Sequence, residues 1–308
     1  MIELIAAAVR LATPLAFAGL GELVSERAGV LNVSIEGMIL GSAFAAAVGS
    51  DATGSAVVGV GAGIVAGVLI ATLQAVFSVS FKANQIITGL AINVLIAGLV
   101  TFVFRAQYAG RMTNLAGLGA VRIAGFSDIP WLGRVLFSQN VLFYVFVVIL
   151  VACWRLLSHT QWGLDVRAVG DNPAAADAAG VKVERTRFEA IMLCGALAGI
   201  GGASLSIGEL HGFTEGMSGG RGFIAIAAVI FGAWSLAGMV TACGVFGVAT
   251  ALRFELPALG YQLPSQLLIA FPFVVALLAM NVLGSRGWAR RTPTSLMRPF
   301  DRGEGLSA

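Results

Sequence analysis

The sequence predicts an all-α membrane protein, a polytopic helical bundle of about nine spans, with eight and ten as the bounds. Three observations carry that reading. Of 308 residues, 58% are hydrophobic and 11% charged, against about 25% charged in soluble domains, and the mean hydropathy is +0.90. The apolar residues fall in long runs parted by short polar breaks. Several runs carry glycine at every fourth position (Gly59, Gly63 and Gly67; Gly37 and Gly41; Gly195 and Gly199), which lets helices approach closely where lipid supplies no hydrophobic drive. The basic residues cluster at run ends and the net charge is only +3, a pattern of membrane topology and not of nucleic-acid binding. Cys153, Cys194 and Cys243 lie inside apolar runs at unrelated spacings, so neither a disulfide framework nor a metal site is expected.

The spans follow in order, at about 2–24 (with Arg10 inside), 33–48, 55–80, 86–104, 140–157, 190–207, 223–236, 240–254 and 263–283. The seventh and eighth are short for a crossing of about twenty residues. The first run outlasts a signal peptide and lacks a basic leader, so no cleavable signal is expected. No polar segment is large enough to fold alone, which leaves one transmembrane domain over 1–285 and a basic tail over 286–308. The loop at about 158–187 holds Arg155, Arg167, Lys182, Arg185 and Arg187 nearby, and the tail holds Arg286, Arg290, Arg291, Arg298 and Arg302. Both are expected to be cytoplasmic by the positive-inside rule. Counting back puts the N-terminus outside. The loop at about 105–137 then lies outside too, although it carries Arg105, Arg111, Arg122 and Arg134. Those arginines read either as an external docking surface or as residues that merely sit at the membrane edge.

The strongest water-compatible helix signal is GDNPAAADAAGVKVERTRFE, from Gly170 to Glu189. Asp171 or Asn172 can cap a helix start, and Pro173 suits its first position. Ala174, Ala175, Ala176 and Asp177 carry it on, and Gly180 can close it in a left-handed conformation. The helix expected is about two turns long. It is either an ordinary capped loop helix or a docking element for a soluble partner.

Polar residues at membrane depth mark function when they face protein or water. Two breaks share Glu-Gly-Met before a Gly/Ala-rich run, at Glu36 (after Asn32) and at Glu215. Parity sends the two runs in opposite directions, as an inverted repeat requires; chance is the competing reading of so short a match. In the fourth span Gln85, Gly89 and Asn93 share a helix face, with Asn84 and Thr88 beside it. Those amides serve either interhelical hydrogen bonding or a neutral polar solute. The sequence contains no G-x-x-x-x-G-K-[ST] loop, so the chain is not expected to cradle ATP phosphates. Glu36 and Arg10 stand out as the main charges inside apolar regions, which gives no acid–base chain for ion-coupled pumping. Catalysis by this chain is not expected.

ATPLAFAGLGELVSERAGVLNVSIEGMILGSAFAA resembles the opening of permease subunits of bacterial ABC importers in the ribose/branched-chain-amino-acid permease superfamily, most closely the branch for nucleosides and simple sugars. NQIITGLAINVLIAGL, GDNPAAADAAGVKVERTRFEAIMLCGALAGIGGA and GMSGGRGFIAIAAVIFGAW are similar to later motifs of that branch, in the same order. The resemblance implies a coupling helix at Pro173–Ala179 seated on a cytoplasmic ATPase subunit, which binds the ATP and Mg that this chain does not. It implies a second permease chain, in that branch commonly a different one, and an extracytoplasmic binding lipoprotein that delivers the solute. The whole would sit in the bacterial inner membrane and work by alternating access. On that reading Asn32, Glu36, Gln85, Thr88 and Asn93 lie along or just behind the solute path. The substrate expected is a nucleoside, with a ribose-like sugar as the alternative. An ion-coupled secondary transporter and a channel-like subunit are the competing classes.

Overall fold

A computed structural model describes residues 2–108, 115–119, 121, 132–258, 266, 270–271, 274 and 292–301. Among these residues the regular structure is helical, without strands. The helices are α1 (Ile2–Arg27), α2 (Ile35–Thr53), α3 (Ala56–Ala75), α4 (Gln85–Val103), a short α5 (Leu132–Leu136), α6 (Val141–His159), α7 (Gln161–Asp171), α8 (Pro173–Ala178), α9 (Val183–Ala203), α10 (Arg221–Phe231) and α11 (Leu236–Ala258). Wider π-helical turns extend α3 through Val76–Ser80, α4 through Phe104–Tyr108 and α9 through Ser204–Leu210.

Six of these helices are long and apolar enough to cross a membrane: α1, α3, α4, α6, α9 and α11, counted with their π extensions. The expectation of about nine departs from this at three places. Glu36, Ser50 and Asp51 in the terminal turns of α2 lower its hydropathy; Glu36 and Ser50 find hydrogen-bond partners in the bundle, and Asp51 is exposed at the helix end. At 11 residues α10 is too short. Of the ninth segment, 263–283, only residues 266, 270–271 and 274 are described.

Small residues set the packing. α1 and α9 are the buried centre, while α3, α4 and α6 expose most of their apolar surface. A β-carbon added at Gly67 of α3 would lie 2.2 Å from the Gly195 carbonyl oxygen of α9, and one at Gly199 would lie 2.8 Å from the Gly63 oxygen. The glycine repeats of the third and sixth spans are therefore one interface, backbone against backbone. Pro14 stays inside α1 without ending it.

The bundle has two distinct ends. At the first, Arg27 Nε donates to the Trp234 carbonyl in the α10–α11 turn, Arg187 at the start of α9 donates to Ala28, and Met297 N–H donates to Gly29. At the other, Leu115 N–H donates to the His211 carbonyl, Ser50 Oγ to Ala116, and Asn140 Nδ2 to Gly208. α2 begins inside the bundle and ends at this second end. α10 starts against α2 and runs to the first end, so the two helices part in opposite directions.

Candidate functional site

The loop helix forms as its residues dictate. Asn172 Oδ1 accepts from Ala175 N–H at 3.0 Å, and Pro173 is the first helical residue. α8 ends at Ala178; Val181 N–H then closes back on the Ala176 carbonyl at 3.0 Å, which places Gly180 at φ +90°. Ala176 is buried against Val169 and Val183, with Phe300 of the tail packed on the same cluster. Ala174 and Ala175 face outward, and Asp177 lies half-buried in the same helix. Asp171 is the last residue of α7, and its carbonyl accepts from Thr294 Oγ1.

The sequence reading leaves α7 as part of a loop. Thr160 caps it by accepting from Gly163 N–H, and Trp162, Val166 and Val169 recur at helical spacing on the side packed into the bundle. Trp162 Nε1 donates to Glu189, which also takes Arg185 at 2.8 Å. That amphipathic pattern in QWGLDVRAVGD is the signal that could have found it. The tail residues 292–301 return to this segment and leave a cleft of about 350 Å³ between Asp171–Ala174 and Thr294–Asp301.

The polar residues of the second and fourth spans converge on the break between α1 and α2. Gln85 Oε1 accepts from Leu31 N–H at 2.9 Å. Asn93 accepts from Gly37 N–H at 2.7 Å and donates to the Val33 carbonyl at 2.8 Å. Gly89, between them on the same face, admits the Val33–Ser34 backbone. Asn32 is fully buried; its Oδ1 accepts from Ser34 and its Nδ2 faces Cys194 and Met38. Thr88 is half-buried, with its N–H on the Asn84 carbonyl. Glu36 accepts from Gly220 N–H at 2.9 Å and Gly222 N–H at 2.7 Å. A carboxylate on the free amides of a helix start is favoured by hydrogen bonding and the helix dipole together. The structure thus brings Asn32, Glu36, Gln85 and Asn93 together around one stretch of backbone, and fixes that backbone with them.

Sequence reasoning missed the acids beside it. Glu22 and Glu26, one turn apart on α1, are fully buried. Glu22 accepts from Asn32 N–H at 2.9 Å and Glu26 from Trp234 Nε1. Arg187 is also buried. Glu36 and Arg10 are therefore not the chief charges of the interior. An acid near a helix end looks like a solvated shoulder in sequence, and only the fold shows the neighbours that cover it.

At the second end, Arg105 and Glu215 form a two-pronged ion pair, with both N–O distances 2.8 Å. The guanidinium holds the exposed Glu215 carboxyl below the usual carboxylate range. The Glu-Gly-Met likeness does not extend to side-chain role: Glu36 caps a helix inside, and Glu215 pairs at the surface. Arg111 and Arg122 lie outside the described residues, as does the side chain of Arg134. Among the described residues no group of three or more His, Cys, Asp or Glu is placed to hold a metal ion.

The pattern of the family described as "Branched-chain amino acid transport system / permease component" matches residues 4–280. The chain belongs to this family. It is accordingly a multi-pass inner-membrane protein and a permease component, the class the motifs resembled. It is 31% identical to the putative glucose ABC transporter permease protein TsgC13 of Haloferax volcanii over 320 residues, 97% of each chain. It is 31% identical to the guanosine ABC transporter permease protein NupQ of Bacillus subtilis over 283 residues, 88% of each. To the nucleoside ABC transporter permease protein NupC of Lactococcus lactis it is 32% identical over 279 residues, 87% of this chain and 88% of that one. No solved structure matches the chain.

Proposed function

We propose that this permease component works in an ATP-driven importer and forms, with a second and different permease chain, the path of a nucleoside by alternating access. One observation carries the reading. α8 stands at the end of the bundle as a capped helix with Ala174 and Ala175 outward, joined through α7 and α9 to two apolar spans. A partner that seats this small-residue face can move both spans. Asp171, Asn172, Pro173, Ala174, Ala175, Ala176, Asp177 and Gly180 make up this coupling element. ATP and Mg belong to the ATPase subunit that receives it.

The docking of residues 292–301 against α7–α8 supports putting tail and coupling loop on one side of the membrane, the cytoplasmic one by their positive charge. The N-terminus is then external. The Arg105–Glu215 end faces outward, where a binding lipoprotein would dock and where Arg111, Arg122 and Arg134 belong. Asn32, Glu36, Gln85, Thr88 and Asn93 lie just behind the solute path, as the frame that holds its wall. The nucleoside rests on the likeness to the guanosine and nucleoside permeases; the likeness to a glucose permease over nearly the whole chain favours a sugar as the second reading.

The test is uptake of labelled nucleosides by cells lacking the chain, with unlabelled pentoses and hexoses as competitors and with wild type or Ala175→Trp restored. Nucleoside uptake restored by wild type alone, and indifferent to sugars, supports the proposal. Loss of sugar uptake instead moves the substrate and keeps the mechanism. Full rescue by Ala175→Trp refutes coupling through α8.

A further inference from the structure

The coupling segment is held by more than its own helix. Arg187, 3% exposed at the start of α9, reaches three elements at once. Its Nε donates to the Ala28 carbonyl at the end of α1, one terminal nitrogen donates to the Arg298 carbonyl at 2.9 Å, and the other approaches Ser295 Oγ at 3.4 Å. Ser295 in turn holds the end of α7, with Oγ 2.7 Å and N 2.9 Å from the Gly170 carbonyl. The strap 292–301 continues across the same end. Met297 N–H bonds Gly29, Phe300 packs under α8 on Ala176, and Asp301 pairs with Lys82 in the α3–α4 turn.

The chemistry singles out Arg187. A buried guanidinium is costly unless its donors are met. Its hydrogen-bond partners among the described residues are two main-chain carbonyls and one hydroxyl, so the charge is used to fix backbone positions. Planar donors in a rigid fork hold several acceptors at set directions, which an ammonium cannot do. Space is closed around it as well. Gly29 has φ +86°, and a β-carbon there would meet Ser295 Oγ at 2.6 Å; one at Gly170 would meet the Arg27 carbonyl oxygen at 2.0 Å. A shift of α7–α8 is therefore passed to the ends of α1 and α9, the two most buried spans, and is not absorbed in a loose turn.

We infer that Arg187 and the C-terminal strap 292–301 form the transmission joint of this permease, with Arg187 as the positioning residue that ties movement of α8 to α1 and α9. The inference rests on the reading of α8 as the coupling helix, and it adds a part of the chain that reading does not include. The joint lets ATP hydrolysis drive solute movement; the strap need not touch the ATPase to do so.

The experiment uses the complex carrying this chain, purified from membranes with its co-purifying ATPase and reconstituted in vesicles. Uptake and ATP hydrolysis are measured together for wild type, Arg187→Met, Arg187→Lys, Ser295→Ala and a chain ending at Arg291. The variants are expected to retain the ATPase and hydrolyse ATP, while solute moved per ATP falls about tenfold for Arg187→Met and the shortened chain. Arg187→Lys should recover part of the ratio, because one ammonium serves fewer carbonyls. Should Arg187→Met or the shortened chain fail to insert, Ser295→Ala decides by the same ratio. An unchanged ratio in the inserted variants overturns the joint, including the case where uptake and hydrolysis fall in step. Wild-type uptake indifferent to ATP sinks the coupling reading itself, a result the variants cannot mimic.

Discussion

Glu36 shows how a residue can be conspicuous in sequence and still conceal its use. Its place in an apolar region identifies it as a residue that must have partners. The partners are two amides about 185 residues downstream in the GGRG turn, at Gly220 and Gly222, and no spacing rule links them. Glu36→Ala should lower stability by about 2–3 kcal/mol, the scale of a lost charge-assisted hydrogen bond with its amide left unmet; Glu36→Gln, which keeps one acceptor, should lose less. Thermal unfolding in detergent measures both, and equal melting temperatures for the three proteins would refute the clamp. The amides of Gln85 and Asn93 were legible to the same degree. Their shared face followed from helix geometry, while their choice of backbone over solute depended on where α2 begins. The exposed Arg105–Glu215 pair behaves differently. Because Arg105 depresses the Glu215 pKa, the pair's contribution is present at neutral pH and is lost as pH falls through that lowered value. Arg105→Gln should remove that contribution, flattening this part of an acid stability profile through a small loss at neutral pH and none in acid, which melting temperatures measured against pH would show.

At the level of helices, the glycine spacing foretold close packing but not which helices meet. The α3–α9 contact gives a sharp comparison. Gly67→Ala places a methyl against the Gly195 carbonyl and should destabilise by about 1–3 kcal/mol through forced separation of the helices. Gly61→Ala, on the open face of the same helix where nothing lies within 4 Å, should be neutral or gain up to about 1 kcal/mol from helix propensity. Matched unfolding curves for the two would show that α3 and α9 do not press together at Gly67. Helix boundaries failed where hydropathy was used as a ruler. α2 is sheltered by neighbours and needs no lipid-compatible composition, and α7 reads as loop because its apolar residues are only one stripe. The caps of α8, by contrast, were readable because Asn172, Pro173 and Gly180 act through local backbone geometry alone.

For the molecule as a whole, composition sufficed to place it in a membrane, and ordered motifs sufficed for its family. The arrangement into two ends was partly legible, since basic residues in the loop and tail share a side. That the tail folds onto the loop was not, because its bonds run mainly to main-chain atoms that every residue possesses. Ala175→Trp should abolish uptake at an unchanged level of membrane protein, whereas Trp in place of exposed Val94 on α4 (74% exposed) tests the apolar flank left for lipid or the second permease. Pull-down of each variant separates the two surfaces: only Ala175→Trp should release the ATPase.

The shortness of α10 has a consequence for insulation. Eleven residues of helix rise about 16 Å, roughly half of a hydrocarbon core about 30 Å thick. Along that column the remaining depth is spanned by irregular chain, and unpaired amides and carbonyls tolerate such depth only when protein or water meets them. Glu36 meets two such amides at the start of α10, those of Gly220 and Gly222. Insulation along this column therefore rests on hydrogen bonds made across the bundle and not on the ladder of a single helix. Loss of one such bond would leave bare backbone that only water could satisfy, and with it a route for leakage.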